Sequence, residues 1–439
     1  MDINLVIIGV IGIAMLLVLM FMGVPIAFTF VVVGFVGIWI ISGWDPAVYL
    51  LGTTTYKQTA NYTWTVLPLF MLMGQLAGDA GLTGDAFTAC KKWMGQVKGG
   101  LALATTVAAS LFAAVCGSNI AASITMTKLA WPEMKKLNYD PSLALGSILC
   151  AGSLAALIPP SIPFVVYAMI VEESIGKLFI GGILPGIVLA ICIAFTVWII
   201  VKMDPSKAPS SPPVSWREKF RSLGSVWSIL LLILIVLGGI WGGVFTATEA
   251  AGIGSAGALI IGLAKRAFTW KKFKHAFRES ALMGGGMFIL LVAVNIFNTF
   301  LTLTGLPVML ADWVVGMDLS PMMVLIFILM IYMVLGIPLE LPPILMLTLP
   351  IFTPLLVSVG IDKIWFGILT TITGNLASIT PPVGAPMFIV HGVVKNDGVT
   401  LNQIFKGSWW FCIPTVVSLA ICIAFPQLTL WLPNMMIGK

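Results

Sequence analysis

The chain has 439 residues, of which 59% are hydrophobic and 9% are charged, and its net charge is +6. Soluble domains average about 25% charged residues, so this composition excludes a water-soluble fold. The basic residues lie in short loops between apolar segments, where the positive-inside rule explains them better than nucleic-acid binding does.

Apolar segments of membrane-spanning length recur along almost the whole chain. A transmembrane helix needs about 20 mainly apolar residues. The first two segments, 5–21 and 24–41, are separated by Gly23 and Pro25, and we assign residues 1–60 to N-terminal scaffold helices. We therefore predict an all-α polytopic protein that crosses the lipid bilayer several times.

The most hydrophilic part of the chain lies near its middle. Residues 203–225 contain the Ser-Pro-rich stretch 210–213 and are predicted to form a cytoplasmic linker. Basic clusters at 202–221 and 265–278 are separated by two apolar spans, which places both on one side. By the positive-inside rule that side is the cytoplasm, and counting crossings back places the N-terminus in the periplasm.

The two halves of the chain share short patterns in the same order. Residues 152–160 (GSLAALIPP) align without a gap to 374–382 (GNLASITPP), and 116–119 falls opposite 335–338. A third match pairs Gly81-Leu82 with Gly305-Leu306. The spacing indicates a duplication, with a first repeat at 61–202, scaffold helices at 226–280, and a second repeat with the C-terminal helices at 281–439.

The shared patterns are polar or helix-breaking runs inside apolar segments. Unpaired backbone groups cost several kcal/mol in lipid, so broken backbone at that depth must be buried in protein or line a polar cavity. Corresponding breaks in two repeats are a strong sequence indicator of a transport site. We expect the breaks to be shaped by glycines and prolines: Gly117, Pro159, Pro160, Pro381, Pro382 and Gly384.

Hydroxyls, amides and freed carbonyls at the breaks are oxygen ligands suited to sodium. The candidate sodium ligands are Ser118, Asn119, Ser153, Gly336, Glu340, Asn375 and Thr380. Glu340 is the conspicuous acid of an apolar region, and intramembrane acids are functional candidates. A water-facing acid at a helix end is the alternative interpretation of Glu340. Helix–helix hydrogen bonding is the alternative for Ser118 and Asn119.

Candidate substrate contacts overlap with the ion candidates. They are Ser118, Asn119, Ser161, Asn295, Asn298 and Ser378. For Asn295 and Asn298, interhelical packing is equally plausible. No arginine lies in a long apolar segment. The charge of an anionic substrate would then be met by helix N-termini, hydroxyls, amides and bound cations.

Other chemistry finds little support in the sequence. The six cysteines are scattered without metal-ligand spacing, and only His275 and His391 are present, so we predict no metal site beyond sodium and no organic cofactor. An enzyme would need a buried His, Cys or Asp cluster, so we predict no enzymatic activity. Thr246 and Glu249 have the spacing of a capping box, which makes Glu249 structural.

Six stretches together resemble one transporter family. They are 68–74 (PLFMLMG), 116–119 (CGSN), 132–134 (PEM), 157–161 (LIPPS), 248–251 (TEAA) and 380–384 (TPPVG). They run from the first repeat to the last helices and resemble the large membrane (M-type) subunit of tripartite ATP-independent periplasmic (TRAP) transporters. The family's Ser-Gly-Ser-Ser motif is replaced here by Cys-Gly-Ser-Asn, and Glu340 stands where an aspartate is frequent.

The resemblance implies inverted-topology repeats with broken helices and two re-entrant hairpins, an elevator-type transport domain, and sodium as the coupling ion. It also implies a bacterial or archaeal inner membrane, a small Q-type membrane subunit, and a soluble periplasmic protein that delivers a carboxylate or sulfonate. The sequence has no extra N-terminal spans of a fused small subunit, so we expect that subunit to be a separate polypeptide. The alternative is a stand-alone anion transporter or channel of the same fold without a binding protein.

Overall fold

The computed structural model describes residues 3–436, and within that range the regular structure is entirely helical. The N-terminal scaffold helices are α1 (Ile3–Phe21), α2 (Ile26–Ser42) and α3 (Trp44–Thr59). The next pair, α4 (Val66–Asp79) and α5 (Leu82–Met94), is bent by 59° at a short break. Gly81, at the break, has φ +78°, which glycine adopts without strain.

The rest of the first repeat is a hairpin, a broken helix and a long helix. These are α6 (Gly100–Cys116), α7 (Asn119–Lys136), α8 (Pro141–Ser153), α9 (Ile162–Val171) and α10 (Ile175–Met203). The same succession recurs in the second repeat. Its helices are α13 (Trp270–Thr304), α14 (Leu306–Gly316), α15 (Pro321–Gly336), α16 (Leu341–Ser358), α17 (Lys363–Ser378), α18 (Ala385–Val394), α19 (Leu401–Ala424) and α20 (Gln427–Asn434).

Two helices, α11 (Trp216–Trp241) and α12 (Ala247–Ala264), connect the repeats. Short 3₁₀ turns lie at Tyr62–Thr65, Leu154–Ala156, Pro205–Lys207 and Lys395–Asp397. Six helices of the described range are long and apolar enough to span a membrane, or up to seven if the bent pair is one span. The predicted capping box is confirmed, because the Thr246 amide donates to the Glu249 carboxylate and the Glu249 amide donates to Thr246 Oγ1.

Helices from the two halves of the chain pack in corresponding pairs. Helix α2 packs along α13 and α12 packs along α4, while α8 packs against α19 and α10 against α17. The fold is therefore an all-α polytopic one with two inverted-topology repeats, broken helices and two re-entrant hairpins, α6–α7 and α15–α16. Small residues allow the close approach: a Cβ on Gly34 would lie 2.8 Å from the backbone of Phe297.

The hydrophilic middle segment differs in detail from the predicted linker. Its irregular part ends at Ser215, whose Oγ accepts a hydrogen bond from the Glu218 amide and so caps α11. The segment lies on the loop between α5 and α6, where Ser211 donates to the carbonyl of Gly95 at 2.7 Å. The predicted boundary after residue 280 falls inside α13, a single helix of 35 residues.

Helices α5 and α7 carry most of the ion pairs among the described residues. Lys91 of α5 contacts Glu133 of α7 at 2.6 Å, and Lys135 contacts Asp397 at 2.6 Å. Hydrogen bonds from Lys135 and from the Trp131 indole lower the pKa of Asp397 below its usual value. We call the surface formed by these ion pairs and by the basic clusters 202–221 and 265–278 the basic face.

Candidate functional site

The predicted breaks of both repeats meet around one small cavity of about 100 Å³. Seven of the residues singled out from the sequence line it: Gly117, Ser118, Asn119, Gly336, Glu340, Asn375 and Ser378. The first and the last of these residues are 261 positions apart in the sequence, so folding brings them together.

Four helices begin at this cavity. The first residues of α7, α9, α16 and α18 line it, so four N-termini face the same space. Each helix N-terminus is equivalent to roughly half a positive charge and presents unpaired N–H groups. Three of the four helices have proline in the first turn, where a missing N–H costs nothing. The arrangement favours a small anion without any arginine.

Four helical segments also end there. Gly117 follows the end of α6, Ala156 ends the 3₁₀ turn after α8, Gly336 ends α15 and Ser378 ends α17, and all four residues line the cavity. A helix C-terminus presents carbonyl oxygens that have no partner within the helix. Carbonyls at the ends of broken helices are a recurring way to bind sodium in transporters.

An amide bridge connects the two repeats beside the cavity. The Asn119 amide donates to Asn375 Oδ1 at 2.7 Å, and Asn375 in turn donates to the carbonyl of Ser153 at 3.1 Å. Asn375 is fully buried. Asn119 Oδ1 is buried and has no hydrogen-bond partner among the described residues. A bound cation would satisfy such an oxygen, so the site fits the predicted ion chemistry.

The tip of the first hairpin is fixed by sterics. Gly117 has φ +68°, and a Cβ at this position would lie 2.6 Å from the carbonyl oxygen of Pro160. Only glycine fits both conditions. The next residue, Ser118, caps α7 by accepting from the Ala121 amide at 3.4 Å. These two constraints require glycine at position 117.

Glu340 occupies the N-cap position of α16, makes no side-chain capping bond and is exposed. This environment is the one expected under the alternative interpretation of Glu340, a water-facing acid at a helix end. The same side chain lines the small cavity and a larger one beside it. Within residues 3–436, no three side chains from His, Cys, Asp and Glu cluster as metal ligands. A cation here would be held by carbonyl and amide oxygens with at most one carboxylate.

Other candidates lie outside the small cavity. Ser153 is connected to the site only through its carbonyl, which accepts from Asn375, since its hydroxyl donates to the Cys150 carbonyl at 2.7 Å. Ser161 is buried and donates to the Ala156 carbonyl while capping α9. The Thr380 hydroxyl donates to Leu376 at 2.7 Å and lies 3.7 Å from Cys412 of α19. These three hydroxyls stabilise the broken segments.

Asn295 and Asn298 lie on α13 and line neither cavity. Asn295 donates to its own helix at the Leu291 carbonyl, 3.0 Å away, and Asn298 Oδ1 is buried with no hydrogen-bond partner in the described part of the chain. The structure does not bring these residues to the other candidates.

The prolines and Gly384 form the connections behind the cavity. Pro159 and Pro160 lie between α8 and α9, and Pro381 and Pro382 lie between α17 and α18. A Cβ on Gly384 would lie 2.0 Å from the Ser378 carbonyl oxygen. This close approach sets α18 against the end of α17, which agrees with a shaping role.

The larger cavity, of about 670 Å³, extends from Ser118 and Glu340 between α4, α7 and α13. We call it the vestibule. It reaches Asp79, whose carboxylate lies 3.5 Å from His275 and whose carbonyl accepts from Lys272 at 3.3 Å, so it leads toward the basic face. It also includes Gln75 and Lys128, which are not among the candidates predicted from the sequence. Lys128 could have been found there, because it is the one basic residue of the stretch 99–134.

Comparison with known proteins gives a consistent result. The model of the family "Tripartite ATP-independent periplasmic transporter, DctM component" matches residues 13–428. The C4-dicarboxylate TRAP transporter large permease protein DctM of Pseudomonas aeruginosa is 32% identical over 394 residues, which cover 88% of this chain and 90% of the relative. The sialic acid large permease protein SiaM of Vibrio cholerae is 30% identical over 421 residues, with 96% and 97% covered.

Among solved structures, the YdaH transporter of Alcanivorax borkumensis, described as having an unusual topology, superposes with a TM-score of 0.66. The alignment covers 88% of this chain and 90% of that one, at 15% sequence identity. At this identity the match supports the fold alone, and it agrees with the repeats and hairpins described above.

The amide bridge gives a direct test of the site geometry. Asn375→Ala leaves the Ser153 carbonyl and the Asn119 amide without partners, and an unsatisfied buried group costs about 1–3 kcal/mol. We expect a lower melting temperature of the purified protein in detergent. Ser378→Ala, one turn further along α17, removes only a bond to its own helix and serves as the matched control. Equal melting temperatures for the two variants would contradict the bridge.

Proposed function

Because this chain belongs to the DctM component family of tripartite ATP-independent periplasmic transporters, we propose that it carries a small organic anion across the membrane together with sodium ions. The anion is a carboxylate or sulfonate, and a periplasmic substrate-binding protein delivers it. The direction of net transport is uptake.

The convergence of four helix N-termini and four helical C-terminal ends on one cavity is the main support for this proposal. The N-termini favour the anionic group and the C-terminal carbonyls favour sodium. Each ion then reduces the cost of desolvating the other, since the two opposite charges lie close together in a region of low dielectric constant. Binding both ions together is the elementary requirement of symport.

The substrates for which the two relatives are named, C4-dicarboxylate and sialic acid, are both carboxylates. This agreement supports a carboxylate for the present chain as well. A carboxylate or sulfonate has several oxygen acceptors, which match convergent N–H groups and the Ser118, Asn119 and Ser378 side chains.

The proposed mechanism is of the elevator type. The two hairpins and the broken helices carry the small cavity, and they move against the scaffold formed by α2, α4, α12 and α13. In the present conformation the vestibule connects the cavity to the basic face, which we assign to the cytoplasm. Movement of the hairpin tips past the scaffold would expose the cavity to the periplasm instead.

Membership of the family supports a proposal for the partners, and the basic clusters support one for the orientation. We propose that the chain resides in a bacterial or archaeal inner membrane, with a periplasmic N-terminus, beside a separate small Q-type subunit. Ser118, Asn119, Glu340 and the carbonyls near Asn375 are proposed to hold sodium, and the hydroxyls and amides of the same cavity to contact the anion.

The first functional prediction concerns the driving ion. The cavity offers oxygen ligands and one carboxylate, so an inward sodium gradient should drive accumulation of anion in proteoliposomes that contain the partner subunits. A potassium gradient of the same size is the control. Accumulation that follows a proton gradient and ignores sodium would contradict the proposal.

The second prediction concerns Glu340. Glu340→Gln preserves size and hydrogen bonding but removes the negative charge next to the proposed ion ligands. We expect the sodium concentration for half-maximal uptake to rise by about 10-fold, which corresponds to about 1.4 kcal/mol, while expression and membrane insertion stay unchanged. Ser118→Ala should act in the same direction with a smaller effect, because carbonyl groups supply most of the ligands.

Glu249→Gln is the control for loss of an acid, since Glu249 serves only the capping box. If Glu340→Gln leaves the sodium dependence unchanged, Glu340 is a water-facing structural acid and does not contribute to the ion site.

The third prediction concerns the partners. Expressed without the small subunit and the binding protein, the chain should give no high-affinity uptake. The measurement compares uptake of radiolabelled succinate and sialic acid into proteoliposomes with and without the partners. Strong uptake by this polypeptide alone would instead favour a stand-alone transporter of the same fold.

A further inference from the structure

One lysine in the vestibule is not explained by the ion and anion sites. Lys128 lies on α7, ten residues after Ser118, which corresponds to about 15 Å along the helix axis. Its side chain is exposed and lines the vestibule between the small cavity and the basic face. Thr125, three residues earlier on the same face of α7, lines the vestibule too.

Unlike its neighbours Lys135 and Lys136, Lys128 has no acidic partner among the residues that the structure describes. Lys135 pairs with Asp397, and Lys136 pairs with Glu133 at 3.3 Å. Within residues 3–436, no ion pair within 4.0 Å involves Lys128. The other charged residues that line the vestibule are Asp79 and Glu340, and Asp79 already has His275 as a neighbour. The positive charge of Lys128 is therefore available to a mobile anion.

The chemistry of this position suits brief contact rather than tight binding. An ammonium group is a compact, strongly hydrated point charge on a flexible chain, unlike the rigid fork of arginine. Hydroxyl and amide groups of Thr125 and Gln75 line the same space and can complete the coordination of a carboxylate or sulfonate. A cavity with low-dielectric walls concentrates the field of a single charge.

We propose that Lys128 forms a transient second binding position for the organic anion, between the small cavity and the cytoplasmic exit. The proposal rests on the proposed function for the identity of the cargo. An anion that leaves the four helix N-termini would meet Lys128 as its first full positive charge. The lysine would thereby lower the barrier to release and would favour anions over neutral and cationic solutes.

The test uses a thiol introduced by Thr125→Cys in the full chain. Its rate of modification is measured with an anionic sulfonatoethyl and a cationic trimethylammonioethyl methanethiosulfonate of similar size. The ratio of the two rates removes any effect of Lys128 on thiol ionisation. The protein without Thr125→Cys supplies the background from native cysteines, including the buried Cys116.

With Lys128 present, we expect the anionic reagent to be favoured. Lys128→Gln should lower the anionic-to-cationic rate ratio by about 10-fold at low salt. The difference between the two proteins should become smaller at about 0.5 M salt, because salt at that concentration screens an exposed charge within a few ångströms. Lys128→Arg should keep the ratio. Lys98→Gln, which removes an exposed lysine that does not line the vestibule, is the matched control and should also keep it.

An unchanged ratio in Lys128→Gln would overturn the proposal and would make Lys128 a charge directed to the membrane surface. If Lys128→Gln is not recovered as folded protein, Lys128→Met tests the same point with an apolar side chain of similar length.

Sodium-driven uptake is measured separately on the unmodified chain. Failure of that uptake overturns the proposed function, whereas the rate ratio tests Lys128 without any need for transport.

Discussion

The structure depends on one constraint, that helices broken inside a membrane must have their free backbone groups satisfied by protein or cargo. Here the breaks lie in the interior, around a cavity of about 100 Å³, and the Asn119–Asn375 bridge ties the two repeats together beside it. Each break supplies one C-terminal end and one N-terminal end. Two breaks in each repeat therefore place free carbonyl groups and the positive ends of helix dipoles around the same cavity.

This arrangement explains how a site without arginine can be suited to an anion. The partial charges of helix ends are fixed by the backbone and do not depend on a side-chain conformation. The neighbouring residues have supporting tasks: Gly117 allows the close approach to Pro160, Ser161 and Thr380 satisfy nearby carbonyls, and Glu340 is the one acidic residue that lines the cavity. The full positive charge nearest along α7 is Lys128, outside the cavity and in the vestibule.

Much of the architecture could be predicted from the sequence because helix-breaking residues in apolar segments are locally encoded. The duplication, the hairpin tips and the convergence of Ser118, Asn119, Glu340 and Asn375 all follow from such breaks. Side-chain direction is not encoded locally, which is why Thr380 faces α19 and why Asn295 lies outside both cavities.

Packing along α13 also depends on the folded neighbours. Three consecutive glycines lie there, Gly284, Gly285 and Gly286, but only a Cβ on Gly284 would meet a neighbour, Pro68 at 3.0 Å, while a Cβ on Gly285 or Gly286 would meet no atom within 4 Å. Lys128 was missed because its environment is formed by α4 and α13, far away in sequence. Its importance depends on the vestibule, which exists only in the folded protein.

If the anion and sodium share the cavity formed by the eight helix ends, a cryo-electron microscopy structure of the complete transporter with sodium and a transported carboxylate should show both there. We expect density for the carboxylate at the N-termini of α7, α9, α16 and α18. We expect sodium against the carbonyls near Ser153, Gly336 and Ser378. Cargo bound instead along α13, beside Asn295 and Asn298, with no density in the small cavity, would contradict this expectation.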